Sequence, residues 1–274
     1  MKITLEGKVA LVTGAGAGIG RAIADAYASL GAKIAVAEID AGKVDKLKAD
    51  FPDGLILQAD VQRTADCARV IDEIGKKFGR LDVLVNNVGH HLGNYGPLET
   101  MEESVIDALY NINLRHHFIM TKAATPMMRK SGQGGSIINV SSIEGFRGCT
   151  YNVAYTAFKH AVTGFTKGMA LELSADQIRV NTIAPETTDS EQVPLNVLIR
   201  PQYKDVAALP IPLGRYGVPQ DHAGAAVFLA TDMSSWITGT TIHVDGGGLA
   251  AGGFQRTPQG FFTVSPVVTD TAMG

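Results

Sequence analysis

Cysteine is nearly absent from the 274-residue chain: Cys67 and Cys149 are the only two, 82 positions apart. Thiols so few and so distant supply neither a disulfide framework nor a thiolate zinc site. An excess of one charge is also missing. The formal net charge is −3 and no block of like charges occurs, which argues against a nucleic-acid partner or an anionic membrane surface. Apolar runs are short, as in Val9-Ala10-Leu11-Val12, far below the ~18 residues of a membrane span. The segment Met1-Lys2-Ile3-Thr4-Leu5-Glu6-Gly7-Lys8 lacks the apolar core of a signal peptide, so a cytoplasmic setting is expected. Glycine, by contrast, is abundant: 31 of 274 residues, against a usual share of roughly 7 %.

Short β-branched runs alternate with longer helical patterns. Strands are expected at 8–12, 33–37, 54–58, 81–86, 135–141, 179–184 and 241–244, with helices near 18–30, 41–50, 63–78, 102–130, 153–175 and 219–231. The runs are almost continuously apolar, which suits strands covered on both faces. The alternation predicts one α/β domain, doubly wound, with a seven-stranded parallel sheet flanked by helices. Two regions break the rhythm. Residues 186–213 carry prolines at 194, 201, 210 and 212 and little periodicity, the mark of a functional lid or a disordered segment; a substrate lid is expected. From residue 249 onward a glycine-rich extension carries Phe254, Phe261 and Phe262.

The first strand leads into Thr13-Gly14-Ala15-Gly16-Ala17-Gly18-Ile19-Gly20 and then a helix. A strand, a glycine turn and a helix N-terminus make an anion site, because the backbone can approach a pyrophosphate and unpaired N–H groups favour its charge. Glu38 ends the second strand, twenty residues after Gly18. An acid there can accept hydrogen bonds from both adenosine ribose hydroxyls and would repel a 2′-phosphate. Ala17 and Ile39, close by, carry no charge, so NAD is the expected cofactor. The blander reading makes Glu38 a solvated acid before the next helix.

Tyr155 and Lys159 stand four apart, on one face of a helix. An adjacent ammonium favours the phenolate, so the pair could exchange a proton with an alcohol or ketone oxygen. Ser142 lies thirteen residues earlier, just past the fifth strand. Asn113 sits in an otherwise apolar helical stretch, where an amide needs a polar reason. Asn86-Asn87-Val88-Gly89 closes the fourth strand at the carboxyl edge, where ligands gather.

Over residues 5–248 the sequence resembles the short-chain dehydrogenase/reductase family. Thr13 to Gly20 meets that family's T-G-x-x-x-G-I-G motif, and Asn86-Asn87-Val88-Gly89 its N-N-A-G motif. Asn113, Ser142, Tyr155 and Lys159 match its tetrad. Pro212-Leu213-Gly214-Arg215-Tyr216-Gly217-Val218-Pro219 and Val244-Asp245-Gly246-Gly247 match its later patterns. The resemblance implies a Rossmann-type catalytic domain over 1–248, followed by the extension at 249–274. It also implies an oxidoreductase without a metal, interconverting a secondary alcohol and a ketone by direct hydride transfer. Tyr155 would be the general acid–base and Ser142 would hold the substrate oxygen. Lys159 would lower the tyrosine pKa and bind the nicotinamide ribose, and Asn113 would position a relay water. Gly14, Ala17, Gly18, Ile19, Gly20 and Glu38 would bind the adenosine and pyrophosphate, Asp60 and Val61 the adenine, and Asn87, Val88 and Gly89 the adenosine side. Pro185, Thr188 and Ser190 would line the nicotinamide, with the carboxamide near the last two. A homotetramer is the family expectation; beyond it, the Phe-bearing extension is expected to pack on a neighbouring subunit near its active site. A 3-oxoacyl-[acyl-carrier-protein] reductase and a non-catalytic dinucleotide sensor are the alternatives.

Glu186 replaces the glycine usual after Pro185, and Glu144 occupies a place usually small. Both are expected to make the substrate pocket polar, with Asn152, His90 and His91 also within reach. The alternative for Glu186 is solvent or a basic partner.

Overall fold

The computed structural model describes residues 3–257 and Phe262–Thr263. The seven strands form one parallel sheet: β1 (Val9–Thr13), β2 (Lys33–Glu38), β3 (Leu55–Gln58), β4 (Val83–Asn86), β5 (Gly135–Val140), β6 (Ile178–Pro185) and β7 (Thr241–Val244). Their order is β3-β2-β1-β4-β5-β6-β7. Strand order reverses between β1 and β4, so the crevice at their carboxyl ends is the ligand position of a doubly wound sheet.

Side chains alternate faces along each strand. Val9 and Leu11 of β1 join a core with helices α3 (Thr64–Phe78), α5 (His116–Lys130) and α6 (Val153–Glu172). Ala10 and Val12 join the opposite core with α1 (Gly18–Ser29), α2 (Ala41–Asp50) and α8 (Pro219–Ala230). Both faces are apolar, so the strands read as continuous runs rather than as alternating ones. One buried row is polar. Asn86, Asn139 and Thr182 are register partners across β4, β5 and β6. The Asn86 amide donates to Asn139 (2.9 Å), the Asn139 amide to Thr166 of α6 (2.9 Å), and Thr182 bonds Thr166 (2.8 Å). This row pins α6 to the strand ends beneath the site.

The stretch expected as one helix over 102–130 is corrected by the structure. It is α4 (Glu103–Tyr110) and α5 joined through a π-helical turn, Asn111–Arg115. Such a turn holds one residue more than an α-turn, and the Leu109 carbonyl instead accepts from the Asn113 side-chain amide (3.0 Å).

The 186–213 stretch contains a short α-helix, α7 (Leu195–Leu198), whose Val197 and Leu198 face outward, and a 3-10 turn, Pro201–Tyr203. Its ends are fixed: Thr188 bridges to Gly217, and the Leu213 amide donates to Gly246. The extension turns back onto its own chain. The Arg256 amide donates to Leu209 (3.0 Å) and its guanidinium to the Pro212 carbonyl (3.3 Å), and β8 (Gln255–Arg256) pairs with β9 (Phe262–Thr263). Phe254 is half-exposed; Phe261 and the side chain of Phe262 lie outside the described residues. Among the described residues no helix is long and apolar enough to cross a membrane.

Candidate active site

The carboxyl ends of β1, β4, β5 and β6 supply the site. After β1, Gly14 and Gly18 adopt φ of +64° and +57°, the left-handed region that glycine enters without strain. A Cβ on Gly16 would stand 2.6 Å from Glu38 Oε2, and one on Gly20 2.5 Å from Asn87 Nδ2. The α1 N-terminus carries no side-chain cap and no acid in its first turn, so its N–H groups and dipole remain free for an anion. Glu38 is buried. Its carboxylate accepts from the amides of Gly16 (2.8 Å), Ile39 (2.9 Å) and Asp40 (3.0 Å), which hold it as a fixed acceptor beside the loop. These residues fit a dinucleotide: a glycine turn and uncapped helix N-terminus for phosphate, and a fixed carboxylate at the end of the neighbouring strand.

Asn87 works within this frame. Its side chain donates to the Thr13 and Gly14 carbonyls (3.0 and 3.2 Å) and its amide to Thr13 Oγ1 (3.0 Å). Val88 packs against Gly14, whereas Gly89 lies against Lys159 and Asn113. The turn expected along the adenosine side therefore runs from the phosphate loop to the tetrad. Asp60 accepts from the Gln62 amide and Val61 is buried, at the end of β3.

Asn113, fully buried in the π-turn, accepts from the His90 amide (3.0 Å) and donates to the His90 carbonyl (2.8 Å). Ser142 caps a short 3-10 turn, accepting from the Glu144 amide (3.2 Å), and hydrogen-bonds Tyr155. Lys159 is 2 % exposed and donates to the Val140 carbonyl (3.1 Å), its Nζ 5.5 Å from the Tyr155 ring centre. Burial pushes the Tyr155 phenol up to about 12, against the pull of the Ser142 hydrogen bond. Burial also lowers Lys159 to about 8. Where the spacing predicts a phenol lowered by the ammonium, in the folded chain both groups share one desolvated pocket, and withdrawal from water sets the direction of each shift.

Glu144 and Glu186 come together around a residue that the sequence reading passed over. Arg147 bonds Glu144 (3.0 Å) and Glu186 (3.0 Å); its position three residues after Glu144 was the available signal. Glu186 thus has the basic partner of the alternative reading, and so has Glu144. His90 and His91 each accept at Nδ1 from the backbone two residues ahead, Leu92 (2.6 Å) and Gly93 (3.0 Å), so each neutral ring carries its hydrogen on Nε2. Asn152 is buried near Tyr155, with its Oδ1 unpartnered among the described residues.

After β6, Thr188 is buried and Ser190 lies beside the phosphate loop, its Cβ 3.7 Å from the Cβ position of Gly18. The sequence reading also passed over the buried neighbours His116 and His117, which pack ring to ring (4.1 Å), and His222, bonded to Thr188 at 2.7 Å.

A family model described as enoyl-(acyl carrier protein) reductase matches residues 14–248. The chain belongs to the short-chain dehydrogenase/reductase family. This short-chain dehydrogenase/reductase is 39 % identical to the 3-oxoacyl-[acyl-carrier-protein] reductase FabG of Thermotoga maritima, over 89 % of the chain and 98 % of that relative. It is 36 % identical to galactitol 2-dehydrogenase of Agrobacterium fabrum, over 89 % and 98 %. The 3-ketoacyl-(acyl-carrier-protein) reductase of Brucella melitensis, solved in complex with NADH, superposes with a TM-score of 0.81 at 32 % identity, covering 90 % of this chain and all of that one. The protein is an oxidoreductase of this family.

Proposed function

We propose that the chain interconverts a secondary alcohol and a ketone with NAD(H), Tyr155 moving the proton. The observation that carries this reading is the meeting of Ser142, Tyr155, Lys159 and Asn113 at the sheet's carboxyl edge, beside an uncapped helix N-terminus. Bound in that crevice, the nicotinamide supplies the hydride acceptor or donor. Ser142 and Tyr155 hold the substrate oxygen between two hydroxyls. Lys159, buried under the phenol, stabilises the phenolate when the proton leaves, and Asn113 would position a water that carries a proton between Lys159 and solvent. Glu38, fixed by three backbone donors, favours a free 2′-hydroxyl over a phosphate.

Thr188 gives the nicotinamide end its definition. The Gly217 amide donates to the Thr187 carbonyl and the Asp189 amide to the Gly217 carbonyl. In such a parallel bridge the N–H and C=O of Thr188 itself point away from Gly217, a donor and acceptor side by side that match a primary carboxamide.

Two substrate classes have support. The Glu144–Arg147–Glu186 cluster, with a net charge of −1, suits a hydroxyl-rich alcohol, as the galactitol 2-dehydrogenase relative uses. The FabG relative supports a 3-oxoacyl thioester instead. Steady-state rates with polyols and NAD, and with 3-oxoacyl thioesters and NADH or NADPH, separate them. A clear NADP preference would reject the cofactor assignment. Tyr155→Phe should lower kcat about 10²- to 10⁴-fold; a cellular role that survives this change would favour a sensor. The half-exposed Phe118, Tyr110 and Val153 and the exposed Leu171 on α4, α5 and α6 support assembly through these helices, as a tetramer in our reading.

A further inference from the structure

His222 stands one turn into α8, wholly buried on the face that packs against the sheet. A helix face lined by Ala223, Ala226 and Leu229 has no packing need for an imidazole, and burying one costs free energy unless it is bonded. Its bond is to Thr188: Nε2 lies 2.7 Å from Oγ1. The same Oγ1 lies 2.8 Å from the Glu186 carbonyl. A carbonyl cannot donate, so the single hydroxyl hydrogen of Thr188 goes to Glu186, and the hydrogen in the other bond comes from His222. The ring is therefore the neutral tautomer protonated on Nε2, with Nδ1 unpartnered among the described residues.

We propose that His222 is a positioning residue that sets the Thr188 peptide for the nicotinamide carboxamide. The proposal rests on the reading of Thr188 given above. The Thr188 hydroxyl is held from both sides, by the Glu186 carbonyl just past β6 and by a helix side chain, so it is not available to a ligand. Backbone bonds to Gly217 hold the two peptide units that flank Thr188, and residue 188 cannot swing between them without breaking a bond of its anchored hydroxyl. The α8 N-terminus is itself secured, because Asp221 accepts from the Val218 amide (2.8 Å) and pairs with Arg215 (2.7 Å). A rigid chain of contacts thus runs from the α8 cap to the dinucleotide's reactive end, and none of it reaches the adenosine end.

That asymmetry supplies the test. Dissociation constants for NADH and for ADP-ribose, which lacks the nicotinamide, are measured by calorimetry on wild type, His222→Leu and His222→Gln, with thermal melts of each. His222→Leu should weaken NADH about tenfold, the loss of one buried hydrogen bond, and leave ADP-ribose within about twofold. His222→Gln, which keeps a donor near the Nε2 position, should recover most of the NADH affinity. Unchanged NADH binding in a folded His222→Leu protein overturns the proposal, as does an equal loss for ADP-ribose, which would mark a merely structural histidine. Should His222→Leu fail to fold, Thr188→Val removes the acceptor and is expected to give the same split; equal effects on both ligands then overturn the proposal. Wild type is also titrated with nicotinic acid adenine dinucleotide. Equal affinity for it and for NAD would reject the carboxamide role of Thr188, whereas discrimination that His222→Leu leaves intact would reject His222 alone. If wild type selects NADPH, the same comparison is run with NADPH and 2′-phospho-ADP-ribose.

Discussion

Lys159 shows what single residues at this site cost the fold. Its ammonium is removed from water with one carbonyl for a partner, and burial lowers its pKa from 10.5 to about 8. A base depressed in the native state binds fewer protons there than when unfolded, so stability rises with pH between about 8 and 10.5. The penalty is present in full below pH 8 and corresponds to about 3 kcal/mol. Lys159→Met, which loses one hydrogen bond and the buried charge, should be about 2 kcal/mol more stable than wild type at pH 7, and inactive. Urea denaturation at pH 7 and pH 10 checks it: the advantage should shrink at the higher pH. Gly89 is bound to the same residue by space. With Lys159 Nζ only 2.7 Å from a Cβ there, Gly89→Ala must displace the lysine head group. We expect kcat to fall at least tenfold with a melting temperature near that of wild type.

At the scale of elements, the strands and the glycine turn were legible because their signals are local: apolar runs of fixed length, and left-handed positions that only glycine fills cheaply. The tetrad was legible through motif and spacing. What escaped depends on contacts between distant segments. The π-turn left no trace, since apolar residues on either side of Asn111–Arg115 keep helical spacing and one extra residue only shifts its phase. His222 was invisible because its partner, Thr188, is 34 residues away. The sign of the Tyr155 shift escaped too, because spacing reveals a neighbouring charge but not the removal of water. Deleting Ile112 should restore an α-helical register through α4 and α5. The Asn113 amide would then lose the Leu109 carbonyl and the His90 loop together. Such a variant should fold with undiminished helical circular dichroism and lose at least 100-fold in kcat, a pairing that general destabilisation would not give.

For the whole molecule, the extension and the 186–213 stretch behave as one unit. Arg256 bonds Leu209 and Pro212, and a Cβ on Gly214 would meet its guanidinium. Truncation after Gly248 should therefore raise the KM for the substrate and speed proteolysis between 200 and 213. Equal activity and equal cleavage would show that the tie carries no load. A longer tie crosses the opposite face, where α1 packs on α8 and the Tyr27 hydroxyl donates to the Ala226 carbonyl (3.0 Å), 199 residues further on. During synthesis the first half of the chain leaves the ribosome with the α1 flank uncovered, and its cover arrives only when residues 219–230 do. Contacts this distant in sequence make folding slow and leave apolar surface exposed meanwhile. The chain should accordingly depend on chaperones far more before its last fifty residues have emerged than after.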